Sequence, residues 1–344
     1  MDTAAGTLMY KEAREAADGV LRQAASLPGI IAGLRRQFDD AGIQLICLCA
    51  RGSSDHAGLF AKYLFERELG IPVSSVAPSI ASVHGIDLRL PRTLFLAISQ
   101  SGQSPDILQS TASAARSGAI TACIVNDTQS KLAELCDIVI PMEAGPERSV
   151  AATKSFICSL SALCAIAATL SDSAALRNAI DALPASLHQA LEMNWRAATS
   201  GLVAARSLFV LGRGVGFAIA SEAALKLKET CALHAEAFSA AEVQHGPMEL
   251  IENQFVLLVF DTEPAAHDGV DDAVRRFIDA GASVFLAGSN QPGATVLPSV
   301  PAESPYTNAI LQIQSFYLMA NDLSLARGRH PDTPKHLQKI TETR

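Results

Sequence analysis

The feature that most constrains this chain of 344 residues is an internal duplication. Two short runs recur 162 positions further along the chain: residues 48–52 (LCARG) as 210–214 (VLGRG), and residues 93–97 (TLFLA) as 255–259 (FVLLV). A constant offset indicates two copies of one structural unit. Since domains commonly contain about 100–200 residues, the sequence predicts two tandem domains, 1–195 and 196–344.

Within each copy, short apolar runs alternate with helical patterns. The apolar runs are 45–49, 94–98, 122–125 and 138–141 in the first copy, and 208–211, 255–260 and 283–287 in the second. Helices are predicted at 55–69, 105–117, 131–135, 216–233, 270–280 and 307–326. This alternation is typical of parallel strands covered by helices on both faces, so we predict an α/β fold with one parallel sheet per copy. Residues 171–200 are predicted to form a linking helix broken near Pro184, and the tail from Arg327 to be irregular and separate from either core.

Composition narrows the classes of function. The net charge is −8, and the 27 lysines and arginines are scattered, so no basic surface for nucleic acid or an anionic membrane is expected. The longest apolar run, 156–170, is too short to span a bilayer and is predicted to be a buried helix at the core or a subunit interface. Residues 1–18 lack a secretory signal pattern, so a cytoplasmic location is expected. The seven cysteines lie mostly in apolar runs and are expected to be reduced and buried.

A polar loop follows the second predicted strand of the first copy. It reads SQSGQS over residues 99–104 and is followed by Pro105, a residue typical of the first position of a helix. A strand that leads directly into a helix directs free backbone N–H groups and the positive end of the helix dipole at one point. The candidate side-chain donors for an anion there are Ser99, Gln100, Ser101 and Ser104, together with Ser53 and Ser54 from the loop after the first strand.

Either serine-rich turn alone is most simply explained as a capping turn, but two turns at matching places favour an anion site. The sequence lacks a Gly-x-x-x-x-Gly-Lys-Ser/Thr motif and a Gly-x-Gly-x-x-Gly motif after a strand, which argues against nucleoside triphosphates and dinucleotides. Neutral hydroxyl donors suit a phosphate monoester on a small molecule. At the matching positions 261–266 the second copy reads DTEPAA, so it is predicted to have lost the capacity to bind an anion.

A second candidate site is a helix face in the second copy. Glu222, Lys226 and Glu229 are spaced i, i+4 and i+7, which places them on one face. Such a face is usually a solvated row of salt bridges, but residues 234–247 add acidic and imidazole groups in a segment that looks loop-like. His245 precedes Gly-Pro and is expected to be exposed, whereas the neighbouring His234 could be a packing residue. The spacing of histidines and carboxylates resembles no closed metal site, so no metal is predicted.

These motifs together resemble the double sugar isomerase (SIS) domain family over nearly the whole chain. They are residues 51–58 (RGSSDHAG), 98–102 (ISQSG), 151–156 (AATKSF), 224–229 (ALKLKE) and 245–247 (HGP). Residues 51–58, 101–106 and 339–344 are most similar to the type II glucosamine-6-phosphate deaminases of this family. Glucosamine-6-phosphate synthase, another member, carries an additional glutaminase domain. Because Met1 here nearly begins the isomerase module, no glutaminase domain is expected in this chain.

The resemblance implies roles for individual residues. The sugar phosphate would be held by Ser54, Ser99, Gln100, Ser101 and Ser104, with backbone contacts from Val150 and Ala152. Glu229 would move a proton between C1 and C2, supported by Lys226 and Glu222. His245 would open the sugar ring of the neighbouring subunit's substrate, which implies a homodimer. Lys339 matches a lysine that closes over the synthase site and forms an imine there.

The expected activity is hydrolytic deamination of glucosamine 6-phosphate to fructose 6-phosphate and ammonia, without a cofactor. Ala152 and Gln103 replace a serine and a glutamate of the synthase, which leaves the sugar epimer and the reaction direction open. One alternative is an isomerase or deglycase acting on another phosphorylated amino sugar or a fructosamine adduct. Another is a sugar-phosphate sensor without turnover, although the acidic N-terminus lacks the basic DNA-binding segment usual in such sensors.

Overall fold

The computed structural model describes residues 4–339, which contain two parallel five-stranded sheets. The strands of the first sheet are β1 Leu45–Cys49, β2 Val73–Ser75, β3 Thr93–Ser99, β4 Ile120–Val125 and β5 Ile138–Pro141. Those of the second are β6 Ser207–Gly212, β7 His234–Ser239, β8 Val256–Phe260, β9 Ser283–Ala287 and β10 Thr295–Leu297. The strand orders are β2-β1-β3-β4-β5 and β10-β9-β8-β6-β7. The predicted α/β fold with one parallel sheet per copy is confirmed.

Helices connect and cover the strands. They are α1 Leu8–Arg14, α2 Ala16–Ala41, α3 Ser53–Leu69, α4 Ser79–Ser82, α5 Pro105–Arg116, α6 Lys131–Leu135, α7 Lys154–Leu170, α8 Ala174–Ala190, α9 Arg196–Leu202, α10 Val215–Cys231, α11 His267–Asp279 and α12 Pro305–Ala326. Short 3₁₀ helices span Ala4–Gly6, Glu242–His245, Pro247–Leu250 and Pro264–Ala266. None of the helices within residues 4–339 is long and apolar enough to cross a membrane.

The burial of each element follows from its residue pattern. All seven residues of β3 are buried, as expected for a central parallel strand covered on both faces. Nearly all of α7 is buried, so the prediction of a buried helix at 156–170 is confirmed. In α11, by contrast, only one face is apolar, and Val270, Ala273, Val274 and Phe277 are buried at spacings of three and four residues.

The duplication extends to the backbone of the turn that leads into each first helix. Gly52, before α3, has φ 55° and ψ −131°, and Gly214, before α10, has φ 58° and ψ −128°. A positive φ is strained for residues with a Cβ, so this turn favours glycine in both copies. The two helices therefore begin with the same geometry.

The chain forms two compact units that do not follow chain order alone. The first-sheet unit contains Glu15–Glu147 and Lys154–Pro184, with residues 338 and 339. The second-sheet unit contains residues 4–14, Arg148–Thr153 and Ala185–Leu337. Residues 4–14 belong there because Asp332 accepts hydrogen bonds from the backbone N–H groups of Leu8 and Met9, at 2.7 and 2.8 Å.

Several predictions about individual segments were wrong. The linking helix α8 continues through Pro184, and the chain leaves helical geometry only after Ala190. The segment expected to be loop-like contains β7, which pairs in parallel with β6. The tail after Arg327 is irregular, as predicted, but it is not separate from the core, because Asp332 binds the start of α1.

The cysteines match the prediction. All seven lie within the described residues, are free, and six of them are buried. Burial raises the pKa of the Cys47 thiol to about 11, which disfavours the reactive thiolate. These residues therefore contribute to packing.

Candidate active site

The loop after β3 is a tight turn that closes on its own hydroxyl groups. Ser99 Oγ accepts a hydrogen bond from the Gly102 N–H at 3.0 Å, and Ser101 Oγ accepts one from the Gln103 N–H at 3.3 Å. Gly102 has φ 62°, and a Cβ at this position would overlap Ser130 Oγ. Ser104 then stands at the N-cap of α5. The predicted anion loop is therefore a preformed turn at the carboxyl end of a central strand.

The loop after β1 joins this turn through an ion pair. Arg51 Nε and Nη2 each lie 2.8 Å from Asp106 Oδ2, and Asp106 is buried in the first turn of α5. β1 and β3 are neighbours, so their loops meet at one edge of the sheet. Ser53 and Ser54 are half-buried in the first turn of α3, directly after Arg51 and Gly52. Arg51 adds a cation to a loop where only neutral donors were predicted from the sequence.

The loops after β4 and β5 continue the same edge. The Asn126 N–H donates to the Gln100 carbonyl at 3.3 Å. The Asn126 side chain donates to the Gly145 carbonyl at 2.8 Å and accepts from the Ala144 N–H at 3.0 Å. Asn126 therefore ties the anion loop to the segment that follows β5.

Lys339, from the C-terminal tail, contacts that segment at Glu147. Its Nζ is 2.9 Å from Glu147 Oε2, and the Glu147 side chain is fully buried. The same carboxylate accepts hydrogen bonds from the backbone N–H of Ser155 at 3.1 Å and from its Oγ at 2.7 Å. The structure thus places Lys339 in the first-sheet unit, together with the anion loop. Glu147 carries no spacing signature and was missed from the sequence.

In the second-sheet unit, the predicted face of α10 is a buried charge cluster and not a solvated row of salt bridges. Glu222 and Lys226 are both buried, with Lys226 Nζ 3.6 Å from Glu222 Oε1. Lys226 also forms an ion pair with Glu229, whose side chain remains 20% exposed. The Tyr317 hydroxyl donates to Glu222 Oε1 at 3.2 Å. Glu229 is therefore the one of these three charged residues that solvent or a ligand can reach.

Glu229 borders a cavity of about 770 Å³ within this unit. The ionisable residues that line it besides Glu229 are Lys228, Arg329, His330, Lys335 and His336. The ionisable residues of this lining are thus mainly basic, although the chain as a whole is acidic. The cavity therefore favours an anionic or electron-rich ligand next to the Glu229 carboxylate.

The other predicted residues of this unit lie in irregular segments. His245 ends a 3₁₀ helix and is exposed, as predicted. His234 is exposed on β7, so it is not a packing residue. Val150 and Ala152 are half-buried in the segment Arg148–Thr153, which is fixed because Glu12 accepts hydrogen bonds from two of its N–H groups at 2.6 and 3.0 Å.

In the second copy, a carboxylate of the protein occupies the position that corresponds to the anion loop. Glu263 is the counterpart of Ser101, and its Oε1 accepts a hydrogen bond from the Val215 N–H at the start of α10, at 3.1 Å. A Cβ on Gly214 would overlap this carboxylate. Glu263 therefore neutralises the α10 N-terminus from within, which accounts for the predicted loss of anion binding in this copy.

Three residues of the second copy form a group with metal-ligand chemistry, although no metal site was predicted from the spacing of histidines and carboxylates. Ligand atoms of Asp261, His267 and Asp271 lie within 4.8 Å of one another. His267 Nδ1 is 2.6 Å from Asp261 Oδ2, and Nε2 is 3.3 Å from Asp271 Oδ2. The hydrogen bond to Asp261 raises the pKa of His267. Because both ring nitrogens face carboxylates, the arrangement suits a protonated imidazolium.

Comparison with known proteins agrees with this architecture. The family model described as the SIS domain matches residues 44–169 and 201–285. The chain belongs to the SIS domain family. A glutamine–fructose-6-phosphate aminotransferase [isomerizing] from Halobacterium salinarum is 35% identical over 311 residues, which cover 85% of this chain and 51% of that protein. The SIS chain thus spans about half the length of the curated relatives it matches.

Solved structures extend the likeness. A proposed phosphosugar isomerase from Silicibacter pomeroyi DSS-3 has a TM-score of 0.91 and 39% identity, over 95% of this chain and 100% of that one. Glucosamine-6-phosphate deaminase from Thermotoga maritima has a TM-score of 0.73 at 19% identity, over 96% of this chain and 100% of that one, and so shares the fold.

Proposed function

We propose that this SIS protein is a glucosamine-6-phosphate deaminase that forms fructose 6-phosphate and ammonia. The observation that carries the proposal is the difference between the two copies at the same structural position. The second copy fills its helix N-terminus with the Glu263 carboxylate, whereas the first copy has the neutral Ser101 at the corresponding position. The first copy is thus suited to an anion supplied by a ligand.

A phosphate monoester fits this loop. The turn 99–104 leads into the N-terminus of α5, where backbone N–H groups and the helix dipole favour negative charge. Hydroxyl groups and the nearby Arg51 guanidinium add further donors. Since hydrogen bonds to charged groups contribute about 1.5–3 kcal/mol, loss of one donor is expected to weaken binding of the sugar phosphate by roughly tenfold or more. The names of the relatives, which include fructose-6-phosphate and phosphosugar enzymes, support the same ligand class.

The proposed chemistry is a proton transfer followed by hydrolysis. Glu229 takes the proton from C2 of the open-chain 2-amino aldose and returns it to C1, while a second proton passes from the amine nitrogen to O1, which gives a 2-imino ketose. Water then adds to the imine carbon, and ammonia leaves. A partly exposed carboxylate beside a fixed ammonium suits this shuttle, because Lys226 holds it in place. We assign ring opening to His245 and support of the Glu229–Lys226 pair to Glu222.

The test is an assay of the purified protein for ammonia and fructose 6-phosphate from glucosamine 6-phosphate. Glu229→Gln is expected to lower kcat by about 10²–10⁴-fold, the usual contribution of a general acid–base. Glu236→Gln, which alters an exposed glutamate of β7, is the charge-matched control and is expected to retain wild-type activity. Absence of ammonia release, or equal turnover by Glu229→Gln and the wild type, would contradict the proposal.

We further propose a homodimer in which His245 serves the partner's site. Glu229→Gln and His245→Asn are each expected to be inactive. When the two variants are mixed after unfolding, half of the dimers carry one intact site, so about a quarter of the wild-type activity is expected to return. If His245 served the site of its own chain, no mixture would recover activity.

A second candidate is isomerase or deglycase action on another phosphorylated amino sugar, which is favoured by the isomerising relatives. Comparison of kcat/KM across a panel of sugar phosphates and fructosamine phosphates separates it from deamination. A sensor without turnover would bind glucosamine 6-phosphate and release it unchanged.

A further inference from the structure

Glu147 and Lys339 form an ion pair in the first-sheet unit. We propose that Glu147 is a positioning residue that holds the Lys339 ammonium as a fixed cation beside the anion loop. The inference rests on the proposed function, because it gives Lys339 a task in the same reaction. That task differs from imine formation, the role of the matching lysine in the synthase.

Three hydrogen-bond donors bind the Glu147 carboxylate. Its side chain is fully buried, and its oxygens accept the Ser155 N–H and Oγ–H hydrogen bonds in addition to the bond from Lys339 Nζ. A buried carboxylate that accepts several hydrogen bonds is stable in its charged form. Its partner Lys339, whose side chain is 24% exposed, therefore has its Nζ 2.9 Å from an oxygen of a buried carboxylate.

The segment that carries Glu147 is connected to the anion loop. Glu147 follows β5, and the segment 144–145 that leads to it is hydrogen-bonded to Asn126, whose backbone N–H binds Gln100 in the anion loop. All of these residues belong to the first-sheet unit. The segment that leads to Glu147, the partner of Lys339, is thus linked by hydrogen bonds to the loop proposed to hold the sugar phosphate.

The chemistry of the proposed substrate explains why an ammonium suits this position. Imine formation needs a neutral amine with a lone pair, and an ammonium bound to a carboxylate has none available. An amino sugar already carries the nitrogen that becomes the imine, so no lysine nucleophile is needed. A fixed cation can instead stabilise the phosphate or the oxygen on which negative charge develops during proton transfer.

The experiment combines kinetics with chemical labelling. Glu147→Gln and Lys339→Met are each expected to lower kcat/KM for glucosamine 6-phosphate by roughly 10- to 100-fold, and Glu147→Asp to recover part of the loss. In the Lys339→Met background, Glu147→Gln is expected to have little further effect. Glu134→Gln, an exposed glutamate of α6 in the same unit, is the matched control and is expected to behave as the wild type. Circular dichroism checks that each variant is folded.

Two readouts do not depend on turnover. Amine acetylation followed by mass spectrometry is expected to label Lys339 several-fold faster in Glu147→Gln than in the wild type. Borohydride reduction in the presence of glucosamine 6-phosphate or fructose 6-phosphate is expected to leave Lys339 unmodified. Equal labelling rates, a reduced sugar adduct on Lys339, or a Glu147→Gln defect that persists unchanged in Lys339→Met would overturn the inference. Failure of the proposed function is recognised separately, by the absence of ammonia release from the wild type.

Discussion

Replacement of Lys226 by methionine tests whether the α10 cluster is a buried charge network. Lys226 is 1% exposed, and the neighbouring Glu222 is fully buried. Lys226→Met preserves most of the side-chain volume but leaves the Glu222 carboxylate without this cation in a low-dielectric environment. Loss of one partner from a buried ion pair typically costs about 3–5 kcal/mol. Because the Tyr317 hydroxyl still donates to Glu222, we expect a loss near the lower limit, about 3 kcal/mol.

The assay is denaturant unfolding followed by circular dichroism, with the change in the free energy of unfolding taken from the midpoint and slope. Lys228→Met, at an exposed position of the same helix, is the control and is expected to cost less than about 1 kcal/mol. The double variant Glu222→Gln/Lys226→Met is expected to be more stable than Lys226→Met, because it removes the buried carboxylate charge that Lys226 no longer balances. A cost below about 1 kcal/mol for Lys226→Met, or no recovery in the double variant, would refute this reasoning.

Three further predictions concern the two loops that correspond by duplication. Gly102→Ala is expected to destabilise the first-sheet unit by about 1–3 kcal/mol, because φ at Gly102 is 62° and the new Cβ would overlap Ser130. It is also expected to weaken sugar-phosphate binding. Thermal unfolding measures the first effect and calorimetric titration the second, and unchanged values would contradict them. Glu263→Ala is expected to lower stability by about 0.5–2 kcal/mol through loss of the helix cap, as measured by thermal unfolding, whereas an unchanged melting temperature would show that the cap contributes nothing. The pKa of His267 is raised in the folded protein, so its protonation stabilises the fold below the unfolded pKa near 6.5, and this stabilisation is lost as the pH rises through the folded pKa. Asp261→Asn is therefore expected to flatten the pH dependence of the melting temperature. An unaltered pH profile would rule out the His267–Asp261 pair as its source.

The sequence was sufficient to predict the central strands and the anion loop, because both have local signatures. Buried parallel strands are continuous apolar runs, and the loop combines small hydroxyl residues with a glycine and a helix-starting proline. The edge strands β2 and β10 have only three residues each, and β7 reads HAEAFS. These strands lack an apolar pattern of their own and form by pairing with a neighbour, so they were missed or taken for a loop.

The ion pairs of the candidate site could not be predicted from the sequence, because they also depend on contacts distant along the chain. Arg51 binds a carboxylate 55 positions away, and Lys339 binds Glu147 across 192 positions. Such contacts depend on which loops are neighbours at the sheet edge. No residue spacing in a single sequence identifies those neighbours. The i, i+4 pair of Lys226 with Glu222 was predictable for the opposite reason, because a helix fixes its geometry. Its burial was not, because burial depends on the helices and strands that cover it.

A crystal structure of the protein soaked with glucosamine 6-phosphate tests most directly whether the 99–104 loop holds the sugar phosphate. We expect the phosphate oxygens to lie about 2.7–3.2 Å from donors of the 99–104 loop, with the Glu263 carboxylate still bound at the start of α10. A phosphate bound at the second copy's loop, or elsewhere on the molecule with the 99–104 loop empty, would contradict the claim that the first copy holds the sugar phosphate.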